Sequence, residues 1–82
     1  MPRYGPIWVE IAQQQYDALS DDVRLLVDHR VAQLLGDPIA DAVYNRRSDQ
    51  WSIPLGDDGF LFYAVVHDPP RVIVLRLVTG LS

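Results

Sequence analysis

Four side chains in the second half of the sequence could act on a phosphate group. Arg46 and Arg47 are adjacent in a polar stretch, Arg76 interrupts an apolar run near the C-terminus, and Tyr63 lies in an earlier apolar run. A guanidinium group binds phosphate or carboxylate through paired N–H donors and stabilises charge that develops in a transition state. A tyrosine nearby could transfer a proton. These four residues form the candidate catalytic set.

Other site chemistries find little support in the sequence. His67 is a candidate general base, but it begins the segment HDPP, which reads as an exposed turn. His29 and the scattered aspartates lack metal-ligand spacing. The chain has no cysteine, which excludes disulfides, thiolate metal sites and cysteine catalysis. Since a glycine-rich phosphate loop is also missing, we expect neither a metal nor a cofactor.

Length and composition limit the class of protein. Eighty-two residues, 49% of them hydrophobic, indicate one folded domain spanning residues 1–82. The net charge of −4 means that the average surface repels phosphate backbones, which favours a protein partner over nucleic acid. No stretch resembles a signal peptide or a membrane span of roughly 18 apolar residues. We therefore expect a cytoplasmic protein with no membrane partner.

Hydrophobic periodicity predicts the elements of the first half. Residues 6–12 alternate as in a half-buried strand, and a helical stripe follows over 13–19. Ser20 can cap a second helix over 21–35, which Gly36 closes and Pro38 prevents from continuing. Residues 37–49 read as a loop with at most a helical turn.

Three further strands are predicted in the second half. Residues 50–55 form a strand that lies at an edge or ends near Pro54, since proline cannot donate to a ladder. Residues 60–66 are apolar on both faces, as in a central strand, and residues 71–78 form the last strand. Alternation in the last strand points Ile73 and Leu75 toward the helices and Arg76 to the open face.

The elements together predict an α+β fold in the order β-α-α-β-β-β. Short turns make the last three strands an antiparallel meander, and the first strand completes a four-stranded antiparallel sheet with two N-terminal helices packed on one face. The predicted core comprises Leu26, Val27, Leu34, Phe62, Val65, Ile73 and Leu75.

The order of the predicted strands and helices, and several sequence segments, resemble the RelE/ParE superfamily of type II toxin–antitoxin systems. The matching segments are WVEIA (8–12), YDAL (16–19), VAQLLGDP (31–38), WSIPLGDDG (51–59), FYAVVHD (62–68) and VIVLRL (72–77). The resemblance implies the same fold and a cognate antitoxin that covers the concave face. It also implies one of two activities: ribosome-dependent cleavage of messenger RNA, or inhibition of gyrase.

The sequence departs from this superfamily where catalysis is expected. Tyr63 matches the family tyrosine, but Phe60 stands at the family's arginine, and no family-like tail follows the last strand. The resemblance therefore implies a toxin, or a diverged toxin-like protein, that acts by protein binding with weak or absent RNase activity. The alternative is a ribosome-dependent mRNA endonuclease that uses relocated arginines. Arginines clustered with Tyr63 on the open face would favour the enzyme, and an apolar face would favour protein binding.

Overall fold

The computed structural model describes residues 4–57 and 59–79, which form one sheet and two helices. In chain order the elements are β1 (Gly5–Trp8), α1 (Glu10–Asp17), α2 (Asp21–Gly36), β2 (Val43–Asn45), β3 (Gln50–Leu55), β4 (Gly59–His67) and β5 (Pro70–Thr79). Neither of the described helices is long and apolar enough to cross a membrane.

The sheet has five strands in the order β1-β5-β4-β3-β2. The strands β2 to β5 pair antiparallel, whereas β1 runs parallel to β5. The predicted α+β class, the two helices on one face and the interior position of residues 60–66 are confirmed. The sheet is mixed rather than purely antiparallel, because the helices carry the chain from β1 back across the sheet. The extra strand, β2, has only three residues, too few to show periodicity.

The first strand is shorter and the first helix earlier than predicted. β1 ends at Trp8 and α1 begins at Glu10, so the second half of the predicted strand 6–12 is helical. Within α1, Ile11 is 58% exposed, while Ala12 is fully buried. The apparent alternation of Ile7, Val9 and Ile11 is therefore accidental. The second helix extends over Asp21–Gly36, one residue beyond the prediction.

The core lies between the helices and one face of the sheet. The helices contribute Ala12, Val27, Val31 and Leu34, and the strands contribute Ile53, Leu55, Leu61, Tyr63, Val72, Val74 and Leu77. Val27, Val31 and Leu34 follow one another at helical spacing, so α2 turns a single stripe toward the sheet. Among the described residues, this core contains no buried charged side chain.

A β-bulge in β5 decides which of its residues are buried. Phe62 pairs with Arg76 and Tyr63 with Val74, which leaves Leu75 without a partner on β4. Val74 and Leu77 are both buried although two residues separate them. The bulge thus reverses the alternation halfway along the strand.

The predicted core is corrected accordingly. Val27 and Leu34 are buried as expected, and Val65 packs partly buried against the core. Phe62, Ile73 and Leu75 are only partly buried, because the strict alternation assumed for β5 stops at the bulge and β4 is covered by helices on one face alone. Leu26 is 36% exposed, because the side of α2 that faces the sheet carries Val27 rather than Leu26.

The two faces of β4 should differ in their contribution to stability. Leu61 is fully buried, so Leu61→Ala should lower the free energy of unfolding by about 2–5 kcal/mol. Phe62→Ala should cost only about 1–2 kcal/mol, because its ring is partly exposed on the other face. Chemical denaturation of both variants measures the difference. An equal or larger loss for Phe62→Ala would contradict the assignment of faces.

Candidate functional site

The face of the sheet turned away from the helices is the candidate site, and we call it the open face. Cross-strand pairing places Phe62 beside Ser52 and Arg76, and Phe60 beside Pro54 and Val78. The open face comprises Ile7, Ser52, Pro54, Phe60, Phe62, Ala64, Val66, Arg71, Ile73, Arg76 and Val78.

Phe60 occupies the centre of an apolar area on this face. Its side chain is 49% exposed, and that of its partner Val78 is 41% exposed. The centroids of the Phe60 and Phe62 rings lie 6.4 Å apart. The place where the resemblance leads one to expect an arginine therefore holds an exposed apolar ring, which suits contact with another apolar surface.

Arg76 is stacked on this apolar area. The Cζ atom of its guanidinium group lies 4.2 Å from the centroid of the Phe62 ring, a cation–π contact. Arg76 is exposed, and no carboxylate of residues 4–57 or 59–79 lies within ion-pair distance of it. Its prediction as an open-face residue agrees with the structure. The cause is the bulge rather than simple alternation.

Arg46 and Arg47 lie in the exposed turn between β2 and β3. The Oδ1 atom of Asn45 accepts hydrogen bonds from the backbone N–H groups of Arg47 and Ser48, at 3.0 and 3.4 Å, which fixes the backbone of the turn. The turn joins β2 to β3, and β4 separates β3 from β5, so even the nearer of the two strands that the turn joins lies about 10 Å from β5 at ordinary strand spacing. The structure does not bring the three arginines together.

Tyr63 lies on the opposite face of the sheet from Arg76. Its side chain is fully buried, and its hydroxyl donates a 2.5 Å hydrogen bond to the backbone oxygen of Pro38. Burial raises the pKa of this hydroxyl to about 12. In this position Tyr63 ties the segment that follows α2 to the sheet, away from the arginines.

His67 is also distant from the open-face arginine. It ends β4, and its Nδ1 atom is 2.8 Å from the hydroxyl of Tyr4 at the start of the described chain. Their rings meet edge to face, with centroids 5.9 Å apart. His67 is exposed, as expected for the end of a strand, and this contact links the N-terminal segment to the end of β4.

Charge is unevenly distributed over the molecule. None of the residues in the five strands is Asp or Glu, whereas α1 and α2 carry five carboxylates between them. The arginines of α2 are engaged locally: Arg24 pairs with Asp21 at 3.5 Å, and Arg30 donates to the backbone oxygen of Pro54. The net charge of −4 therefore belongs to the helices and connecting segments, while the open face carries only Arg71 and Arg76.

The described residues offer no metal site. Within the ranges 4–57 and 59–79, no group of three histidines or carboxylates is close enough to hold an ion. A small cavity of about 220 Å³ lies beside the end of α2 and is lined by Arg30, Gln33, Asp37 and Asp41 among others. It is separated from the open face by the sheet, because Ile53 on the helix side forms part of its wall.

Sequence reasoning missed Phe62 and Gln15 as parts of this site. Hydropathy predicts Phe62 as core because residues 60–66 are apolar on both faces, and it does not show that the helices cover only one face of β4. The Oε1 atom of Gln15 accepts a 2.7 Å hydrogen bond from the backbone N–H of Leu77 beside the bulge, yet Gln15 is one of three consecutive glutamines on α1. Nothing in the sequence distinguishes it from its neighbours.

Several solved structures of toxins and toxin–antitoxin complexes are similar to this chain in fold. The chain superposes on the intact E. coli RelBE toxin–antitoxin complex with a TM-score of 0.82 at 21% identity, covering 96% of this chain and 99% of that one. For the RelBE2 complex from Mycobacterium tuberculosis the TM-score is 0.81 at 18% identity, covering 94% of this chain and 98% of that one. For the YoeB/ParE toxin from Agrobacterium tumefaciens the TM-score is 0.81 at 12% identity, covering 92% of this chain and 96% of that one.

These likenesses establish that the chain has the RelE/ParE-type toxin fold. No protein-family model and no curated protein matches its sequence. The fold that the sequence segments suggested is confirmed. At these identities it carries no site residue over from one protein to the other.

Burial of the Tyr63 hydroxyl predicts a specific loss of stability at high pH. Because its folded pKa of about 12 lies above the ordinary value of 10.0, the stabilisation is complete below pH 10 and is lost as the pH rises toward 12. Hydrogen bonds to Asp28 and Asp49 also raise the pKa of Tyr16 and Tyr44, so Tyr63→Phe is needed to isolate the effect. The free energy of unfolding, measured from pH 9 to 12, should fall less steeply with pH in that variant. An identical slope would place the Tyr63 hydroxyl in water.

Proposed function

We propose that this chain is the toxin component, or a diverged toxin-like protein, of a type II toxin–antitoxin system, and that it acts in the cytoplasm by binding protein. The class of system rests on its fold, which it shares with the toxins of two toxin–antitoxin complexes. The mode of action rests on one observation: the open face presents exposed apolar side chains around Phe60, with Arg76 stacked among them.

The chemistry of the open face supports binding better than cleavage. Cutting RNA requires groups that move protons as well as groups that stabilise charge. The ionisable side chains of the described open face are Arg71 and Arg76, and guanidinium groups remain protonated in proteins. Tyr63 is buried on the other face, and His67 contacts Tyr4 at the end of β4.

The same face indicates what the partner must offer. An apolar segment is needed to cover Phe60, Val78 and Ile73, and a carboxylate is needed opposite Arg76, which has no ion-pair partner among the described side chains. A cognate antitoxin with apolar and acidic side chains would satisfy both needs. A second protein target such as gyrase would have to present similar chemistry once the antitoxin has left.

The alternative function is a ribosome-dependent mRNA endonuclease of RelE type. It is favoured by the absence of carboxylates from the five described strands, so that no strand carboxylate competes with phosphate for the exposed guanidinium of Arg76. Exposed rings such as Phe60 could also stack on a base. In this reading Arg76, Arg46 and Arg47 replace the cation that Phe60 does not supply, and messenger RNA on the ribosome is the partner.

A cleavage assay separates the two functions. Purified ribosomes programmed with a messenger should show no cutting at the A site above the buffer control, because the open face lacks a proton-transfer group. A positive control toxin establishes that the ribosomes are competent. Robust cutting that Arg76→Ala, or Arg46→Ala with Arg47→Ala, abolishes would overturn the binding proposal in favour of the enzyme.

A binding assay tests the proposed surface. We expect the protein encoded next to this chain to bind it, and Arg76→Ala to weaken that binding about 10-fold or more, as loss of one charge-assisted contact does. Phe60→Ser should weaken it similarly by removing an apolar contact. Arg47→Ala, in the turn between β2 and β3 on the far side of β4, is the matched control and should bind like the parent chain. Unchanged affinity in both open-face variants would exclude this face as the binding surface.

A further inference from the structure

A single side chain from α1 reaches the bulge in β5. The Oε1 atom of Gln15 accepts a 2.7 Å hydrogen bond from the backbone N–H of Leu77, a residue 62 positions later in the chain. The atom of the Gln15 amide that faces Leu77 must be the oxygen, because the backbone N–H of Leu77 can only donate a hydrogen bond. Gln15 is partly buried, in keeping with a side chain that points inward from the helix.

Gln15 takes the place of a missing strand partner. β1 pairs with β5 only as far as Trp8 opposite Val74, and the chain then leaves the sheet after a hydrogen bond from the N–H of Val9 to the oxygen of Val74. Beyond Val74 the outer edge of β5 has no strand beside it in the described chain, and α1 lies across it instead. Leu77 is 5% exposed, so without Gln15 its N–H would be buried and unsatisfied.

The position of this bond bears directly on Arg76. In a strand without a bulge, residues 72, 74 and 76 would face the same side, which would turn Arg76 into the core with Val72 and Val74. The extra residue, Leu75, lets Leu77 take the next core position and leaves Arg76 opposite Phe62 on the open face. A bulge disrupts the ladder locally, and the bond from Leu77 to Gln15 adds a contact immediately after Arg76.

We propose that Gln15 is a positioning residue: by accepting the N–H of Leu77 it holds the bulge in register and so keeps Arg76 stacked on Phe62 at the open face. Its importance for partner binding rests on the proposed function, since that function assigns the partner contact to Arg76. The positioning itself is a property of the free chain. It can therefore be tested without any partner.

The test uses nuclear magnetic resonance of the free, isotope-labelled protein. The Phe62 ring should shift the side-chain resonances of Arg76 by its ring current, and hydrogen exchange of the Leu77 amide reports the bond to Gln15. The variant Gln15→Met keeps the length of the side chain and removes the acceptor, while Gln15→Glu keeps an acceptor oxygen. Gln13→Met is the matched control, because Gln13 lies on the same helix and its side-chain amide donates to Asp17 rather than to β5.

In Gln15→Met we expect exchange of the Leu77 amide to accelerate about 10-fold or more and the ring-current shift of Arg76 to be lost. Gln15→Glu and Gln13→Met should retain both signals. If Gln15→Met fails to fold, Gln15→Asn, whose shorter side chain falls short of Leu77, is expected to give the same losses. A fast Leu77 amide with an unchanged Arg76 shift would overturn the proposal, because Gln15 would then stabilise the strand without positioning Arg76. Unchanged exchange in Gln15→Met would overturn it as well.

Discussion

The organisation of this protein depends on a reversal of side-chain alternation in β5. Val74 and Leu77 must both reach the core beneath the helices, and the chain achieves this by placing Leu75 and Arg76 between them. Hydrophobic burial supplies the driving force, since two large apolar side chains leave water on either side of the bulge. The same arrangement keeps a guanidinium group out of the core, where an unpaired charge would be costly. Packing on one face of the sheet thus determines what the other face can bind.

The separation of charge adds to this division between faces. Carboxylates occupy the helices and connecting segments, where Arg24 and Arg30 are already engaged in local contacts. The strands carry arginine as their charged residue, so a partner approaching the open face meets apolar surface and positive charge. A chain with a net charge of −4 can therefore still attract an acidic segment at one surface.

The sequence predicted the elements better than it predicted the faces. The helix starting at Asp21 was recognisable from its cap signals and apolar stripe, and strands over 50–55, 60–66 and 71–78 from runs of apolar residues between turns. Two features were not recognisable. The parallel pairing of β1 depends on contacts across more than 60 residues, and the bulge at Leu75 depends on the burial of both Val74 and Leu77 beneath the helices. Residues that such non-local contacts place, Phe62 and Gln15 above all, could be identified only from the structure.

The central claim of the proposed function is that a protein partner covers the open face. It is tested most directly by cross-saturation of methyl groups in the labelled chain, with saturation applied to the unlabelled protein encoded beside it. The account predicts strong loss of signal at Val78 and Ile73, with Ile11 and Leu25 on the helices, which are 58% and 67% exposed, unaffected. Loss of signal at Ile11 and Leu25 with Val78 and Ile73 unchanged would contradict it.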